Sequence, residues 1–266
     1  MNVFLRELRA YRKSTIIWAA SLCVIVAVFM GLYPAFSSDV KDLYKVLENF
    51  PQAIRALVNI SSETFFSVLG FYGYLLGFAV LAASIQAMNL GVGVISKENA
   101  GKTADFLLSK PVRRTRVVTA KLAAALTAVL FTNVAFVAAS YLAVTASTSK
   151  SFSVPTLLLL ASTMLLVQLI FLALGALFSV TIPKIKSVVA VSLPTVFAFY
   201  IIGAIGDVLQ NVEVRWVSPF RYYDPTYIIT NRSLETKYLV VEAVFVVVAL
   251  VATYVIFVRK DIRQSV

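Results

Sequence analysis

Phe65–Ile95 is a run of 31 residues without one charged side chain. About 20 apolar residues in a helix cross the hydrocarbon core of a bilayer. Inside lipid every backbone N–H and C=O must be bonded within the segment, so a run of this length can only be helix. Five more runs obey the same rule: Thr15–Leu32, Leu122–Val144, Thr156–Val180, Val188–Ile205 and Tyr238–Val258. Only 14% of the chain is charged, against about 25% in a soluble domain. The expected fold is an all-α polytopic membrane protein with six transmembrane helices, forming one transmembrane domain over 1–266. The first run is too long for a typical signal-peptide core and no small-residue cleavage site follows it, so no signal peptide is expected.

The charges then orient the runs. With the N-terminus inside, the inner side holds sixteen basic residues against four acidic ones, and the outer side holds eight of each. Lys and Arg are hard to translocate, so both termini are expected in the cytoplasm and the chain in the cell membrane, bacterial by its general character. The net charge of +11 is read as topology and attraction to anionic lipid, not nucleic-acid binding. Cys23 is the only cysteine and no histidine is present. No internal disulfide can form, and the commonest metal ligand and general acid–base are missing. No metal site, no catalytic residue and no enzyme activity are expected. Gly101-Lys102-Thr103 looks like the end of a phosphate-binding loop. The first glycine of that motif would fall on Ser96, however, and a membrane-length run precedes it rather than a strand. The chain itself is expected to bind no ATP and no cofactor.

The stretch Ser96–Lys121 lies between the second and third runs and carries seven basic residues against Glu98 and Asp105. Ala104, Leu107 and Leu108 recur at helical spacing, and Thr103 and Asp105 are placed to cap and charge the first turn. Pro111 stops that helix. A short amphipathic helix at the membrane surface needs lipid or a partner protein on its apolar side. Glu98, then Lys102-Thr103-Ala104-Asp105-Phe106-Leu107-Leu108-Ser109-Lys110-Pro111-Val112, then Arg114 and Lys121, resembles the first cytoplasmic loop of permease subunits of type-2 ABC exporters. The glycine often found before the threonine is Lys102 here, with Gly101 one residue earlier.

The resemblance implies that this loop holds a coupling helix docked into a groove on a separate ATPase subunit. Glu98, Lys102, Thr103, Asp105, Phe106, Leu107, Leu108, Pro111 and Arg114 would make that contact. It further implies two copies of the ATPase, carrying ATP and magnesium, and a second copy of this chain or a similar permease. The path would lie between the two permeases, lined mainly by spans one, two and five.

The other segments fit around that loop. Asn2–Lys13 reads as an amphipathic helix with Phe4, Leu8 and Tyr11 on one face and Arg6, Arg9, Arg12 and Lys13 around the rest. Such a helix is expected to lie in the headgroup plane; in the resembled family it is an elbow that also touches the ATPase. Tyr33-Pro34 is expected to break span one, and Asp39–Phe50 reads as a short outer helix. Span two is rich in Gly, Ala and Ser, which suits close helix packing, and its Gln86 and Asn89 are either interhelical glue or lining of the path. Pro194 allows a kink in span five, where it is also a candidate for the path. Ser218-Pro219-Phe220-Arg221-Tyr222-Tyr223-Asp224-Pro225 resembles what precedes the last span in the same family. The segment around it reads as short re-entrant helices, or else Trp216, Tyr222, Tyr223 and Tyr227 form an interfacial belt. Glu242 is expected to snorkel outward or to pair with an outer Arg.

Three classes of function are compatible with six spans. An ion-coupled carrier or channel normally holds membrane-embedded charges, and only Glu242 qualifies. A membrane enzyme needs a catalytic constellation that is missing. The resemblance of the basic loop then makes an ABC permease the expected function, and the sparse charge of the spans favours an amphiphilic cargo such as a drug, lipid or amphipathic peptide.

Overall fold

The computed structural model describes residues 3–38, 67–100, 114–149, 151–209 and 213–259. All regular structure among them is helical. Six helices are long and apolar enough to cross a membrane: α1 Val3–Ser38, α2 Val68–Ala100, α3 Arg114–Ser147, α4 Val154–Thr181, α5 Val188–Val208 and, after two short helices, α8 Thr236–Arg259. The short ones are α6 Val214–Val217 and α7 Pro225–Asn231, with a 3-10 turn Pro219–Arg221 between them. The chain is a multi-pass membrane protein.

Local chemistry sets the element ends. Ser153 caps α4 by accepting from the Thr156 amide, and Pro155 fills its first turn, where no backbone donor is needed. Ser187 caps α5 through the Ala190 amide, and Asp224 caps α7 through the Thr226 amide ahead of Pro225.

α2 and α4 form the centre. In their most apolar windows 61% and 67% of residues are buried within the protein, against 17% for α5 and for α8. The two helices touch backbone to backbone where Gly91 meets Gly175. A Cβ on Gly91 would stand 2.4 Å from the Leu172 carbonyl oxygen, and one on Gly175 would stand 2.7 Å from that of Met88. Small residues at a crossing let helices gain dispersion contact where lipid offers no hydrophobic drive. α1 lies against α3, α5 against α2 and α8 against α4. The exposed sides of α1, α5 and α8 carry Ile16, Ile17, Val24, Ile201, Ile205, Val247 and Val251. Such faces suit lipid or a second membrane chain.

Two expectations about α1 change. The interfacial helix and span one are a single unbroken helix from Val3 to Ser38. Nothing between Lys13 and Ile16 breaks a helix, and the Thr15 hydroxyl bonds back to the Tyr11 carbonyl at 3.0 Å. At its other end the helix continues past Pro34. Proline there costs one backbone bond near the helix end, and the final turn packs against α2 through the Tyr33–Phe71 and Phe36–Phe71 ring pairs at 5.5 and 5.4 Å. The outer helix expected at 39–50 lies outside the described residues.

Candidate functional site

At 1.5 Å per residue, α1 and α3 are each about 50 Å long, well beyond a hydrocarbon core of about 30 Å. Their excess length projects at one end of the bundle. There the start of α1, the end of α2 and the start of α3 meet. Val94, Ile95, Val117 and Val118 are buried in this projection, and so is Lys121, only 2% exposed. The Lys121 ammonium donates to the Val94 carbonyl of α2 at 2.9 Å and pairs with Glu7 of α1 at 3.4 Å. The Ser96 hydroxyl bonds back to the Val92 carbonyl. At the same end the Thr119 hydroxyl of α3 meets the Tyr254 hydroxyl of α8 at 2.8 Å.

This projection is what the expected coupling residues attach to. Glu98 falls in the last turn of α2 and Arg114 is the first residue of α3. Lys102, Thr103, Asp105, Phe106, Leu107, Leu108 and Pro111 lie outside the described residues. Phe4, Leu8 and Tyr11 do share one face of α1, but it is turned inward. Tyr11 is buried, Phe4 packs on the core and Leu8 is half-buried. Glu7, close to them in the helix, reaches Lys121 of α3 from the same end.

Deeper in the bundle, three helices share a seam of amides. The Gln86 side chain of α2 donates to the Thr132 hydroxyl of α3 at 2.9 Å. Asn133 of α3 donates to the Gln168 carbonyl oxygen of α4 at 2.5 Å, and Gln168 donates to the Ala83 carbonyl at 3.0 Å. Nearer the opposite end, the Tyr72 hydroxyl donates to Ser140 at 3.0 Å. Gln86, Thr132, Asn133 and Gln168 are all buried. Removing one member orphans the others, and an interhelical bond in a membrane is worth about 1 kcal/mol. Gln168→Leu is therefore expected to destabilise the detergent-solubilised protein by about 1–2 kcal/mol, read as a lowered thermal midpoint. Gln168→Glu, which keeps an acceptor for Asn133, is expected to lose less at low pH than at neutral pH.

The seam separates the two polar residues of span two. Gln86 faces inward. Asn89 is half-buried on the more open stripe of α2, in line with Tyr74, Gly77, Phe78, Leu81 and Ile85, of which Gly77 and Phe78 are exposed. Phe78 on this stripe stacks on Phe29 of α1 at 6.1 Å, and α5 contacts α2 as well. The Asn89 amide oxygen is itself buried and has no hydrogen-bond partner among the described residues. Pro194 is exposed on α5. It takes the backbone donor from the Ala190 carbonyl, and the flanking Ser192 and Thr195 hydroxyls bond to the Val188 and Val191 carbonyls at 3.0 and 2.8 Å.

At the far end the segment before α8 folds into a cap. The Ser218 hydroxyl donates to the Phe199 carbonyl at 2.8 Å, and Arg221 pairs with Asp207 at the end of α5. Burial lowers the Arg221 pKa, a shift opposed by Asp224. Tyr238 is fully buried, stacked on Tyr222 at 5.2 Å and beneath the Arg215 guanidinium at 4.5 Å. Arg215 and Lys237 both pair with Glu235. Against expectation, Glu242 does not snorkel, and among the described residues it pairs with no Arg. It is 4% exposed and accepts a hydrogen bond from Tyr223. Burial, then the bond and charge of Glu242, raise the Tyr223 pKa, so the phenol stays a donor at neutral pH. Tyr223→Phe should cost about 2 kcal/mol by stranding the carboxyl, and Tyr223→Phe with Glu242→Leu should cost less than the single change. The outer cap gave a sequence signal in its Tyr-Tyr pair, whereas the partners of Lys121, Val94 and Glu7, come from other helices far away in the chain.

A family model described as ABC-2 family transporter protein matches residues 1–262. No curated protein matches the chain.

Proposed function

We propose, from the premise that the chain belongs to the ABC-2 family of transporter proteins, that it is the membrane-spanning permease of an ATP-driven exporter. Its engine is a separate ABC ATPase, present in two copies and carrying ATP and magnesium. The observation that carries this reading is the projecting end, where α1, α2 and α3 are tied together by Lys121. Both ends of the basic loop that resembles a coupling helix leave from this one body. A load applied to Thr103–Leu108 would reach the core pair α2 and α4 through it. We read the loop and both termini as cytoplasmic, because of their excess of Lys and Arg, and the membrane as that of a bacterial cell.

A transport path needs walls on all sides, and symmetric pairing is the common way to supply them. We assign the second wall to another copy of this chain or a similar permease. The open stripe of α2, with Asn89 and the exposed faces of α1 and of α5 around Pro194, is the candidate lining; Gln86 serves as packing. The pair would rock between inward-open and outward-open shapes, driven by a higher affinity of ATP-bound ATPases for one of them. A wall of Phe, Leu and Ile with one amide suits an amphiphile: a drug, a lipid or an amphipathic peptide. The short helices before α8 would sit in the outer leaflet as a re-entrant cap. The alternative, an ATP-independent carrier or channel, calls for embedded charge, and the one such acid, Glu242, is engaged by Tyr223.

Purification of the tagged chain from its native membrane tests the proposal. An ATP-hydrolysing subunit is expected to co-purify in equal amount. Active transport by preparations containing no such subunit would overturn it.

A further inference from the structure

We infer that Lys121 is a positioning residue, which locks the N-terminal helix in register with both ends of the basic loop so that the three move as one body. This deepens the function proposed above and rests on it for its consequence, though not for its geometry. Three observations carry it. The ammonium is nearly inaccessible, yet it is satisfied by groups on two other helices, the Val94 carbonyl of α2 and the Glu7 carboxylate of α1. Its place in the chain is central to the loop: Val94 stands six residues before the end of α2 and Lys121 seven after the start of α3. Around it the junction buries Val94, Ile95, Val117 and Val118, and its buried Ser96 bonds back to its own helix, so Lys121 supplies the polar tie between helices there. A buried charge pair is an expensive way to hold helices together, since an apolar side chain of similar volume often packs as well or better. What the pair adds is direction. The amine fits only where carbonyl and carboxylate converge, so sliding or rotating α1 against α3 breaks it, whereas a methionine would tolerate several registers.

The consequence is mechanical. Without the pair, a push on the loop still moves α2 and α3, which it joins covalently, but α1 is free to lag. Since α1 contributes an exposed face next to the open stripe of α2, the lag would appear as ATP turnover without matching transport.

The test uses the full chain with Cys23→Ala and spin labels at the exposed positions Ala10 and Arg116, which report the distance from α1 to α3 with no ATPase present. The wild-type junction is expected to give one narrow distance distribution. Lys121→Met is expected to broaden it, and Lys121→Gln likewise should the methionine variant fail to fold. Lys121→Arg, which keeps a cationic donor for both the Val94 carbonyl and the Glu7 carboxylate, is expected to keep the distribution narrower than Lys121→Met does. An unchanged distribution in the variant that folds, or one as broad for Lys121→Arg as for that variant, overturns the inference. In the reconstituted complex with its ATPase, the same variant is expected to bind the ATPase normally but to lose about tenfold in transport per ATP, a coupling of ordinary size. A broadened distribution with unchanged transport per ATP also overturns the positioning role and leaves Lys121 a stabilising contact alone. Failure of the unmodified chain to bind any ATPase would instead count against the proposed function, with the distance measurements still deciding the lock.

Discussion

Gly91→Val and Gly175→Val are each expected to destabilise the solubilised protein by about 3 kcal/mol or more, lowering its thermal midpoint by roughly 10 °C. The reason is geometric. The neighbours that a new Cβ would strike are the Leu172 carbonyl at 2.4 Å for Gly91 and the Met88 carbonyl at 2.7 Å for Gly175. Both are backbone atoms of a facing helix and cannot rotate aside, so the helices must part. Parting them opens the α2–α4 contact on which the bundle centres and loosens the amide seam at Gln86 and Gln168. Gly77 supplies the control. Nothing lies within 4 Å of its Cβ position, so Gly77→Ala should be neutral or slightly stabilising through helix propensity. Fluorescence-detected gel filtration after heating separates these outcomes. A Gly91→Val protein as stable as the parent would show that α2 and α4 do not cross backbone to backbone.

Leu107→Asp is expected to remove the ATPase from the purified complex while leaving the permease folded. Leu107 belongs to the apolar side of the amphipathic stretch in the basic loop. If a groove on the ATPase covers that side, a carboxylate there must be buried unpaired, and central contacts of this type cost about 3 kcal/mol, more than a hundredfold in affinity. Phe106→Ala is expected to weaken the complex by less, since it removes contact without adding a charge. Lys110→Ala, next to the terminating Pro111 of the sequence pattern, should matter least. Complex formation untouched by Leu107→Asp would remove the coupling-helix assignment, whatever becomes of the permease assignment.

The six spans were legible because a membrane imposes one rule on long uncharged runs, and Phe65–Ile95 leaves no alternative to helix. Their ends were less legible. Hydropathy marks where lipid stops, not where a helix stops, so α1 and α3 run on into charged sequence that is still good helix. For the same reason the first fourteen residues looked like a separate interfacial helix. Their amphipathic face was correctly visible, but periodicity does not say whether lipid or protein covers it. Here Tyr11 and Glu7 face protein. Among polar residues, Gln86 and Asn89 are three apart in sequence and were equivalent as letters. Only the packing of α3 and α4 separates them, by giving Gln86 a partner in Thr132 and leaving Asn89 half-buried with its amide oxygen unbonded among the described residues. Glu242 was misread because a lone acid in a span suggests a search for Arg, whereas Tyr223 reaches it first from the cap. The family itself was legible from one loop, whose pattern combines a capping pair, an apolar face and a terminating proline.

Transport into sealed vesicles tests the central claim most directly. The chain is reconstituted alone or with its co-purified ATPase, and a fluorescent amphiphile is followed with ATP on the side of the ATPase. Movement of the dye is predicted only when ATPase and ATP are both present, and it should stop when magnesium is chelated. Equal movement by the chain alone, with no nucleotide, would contradict the account.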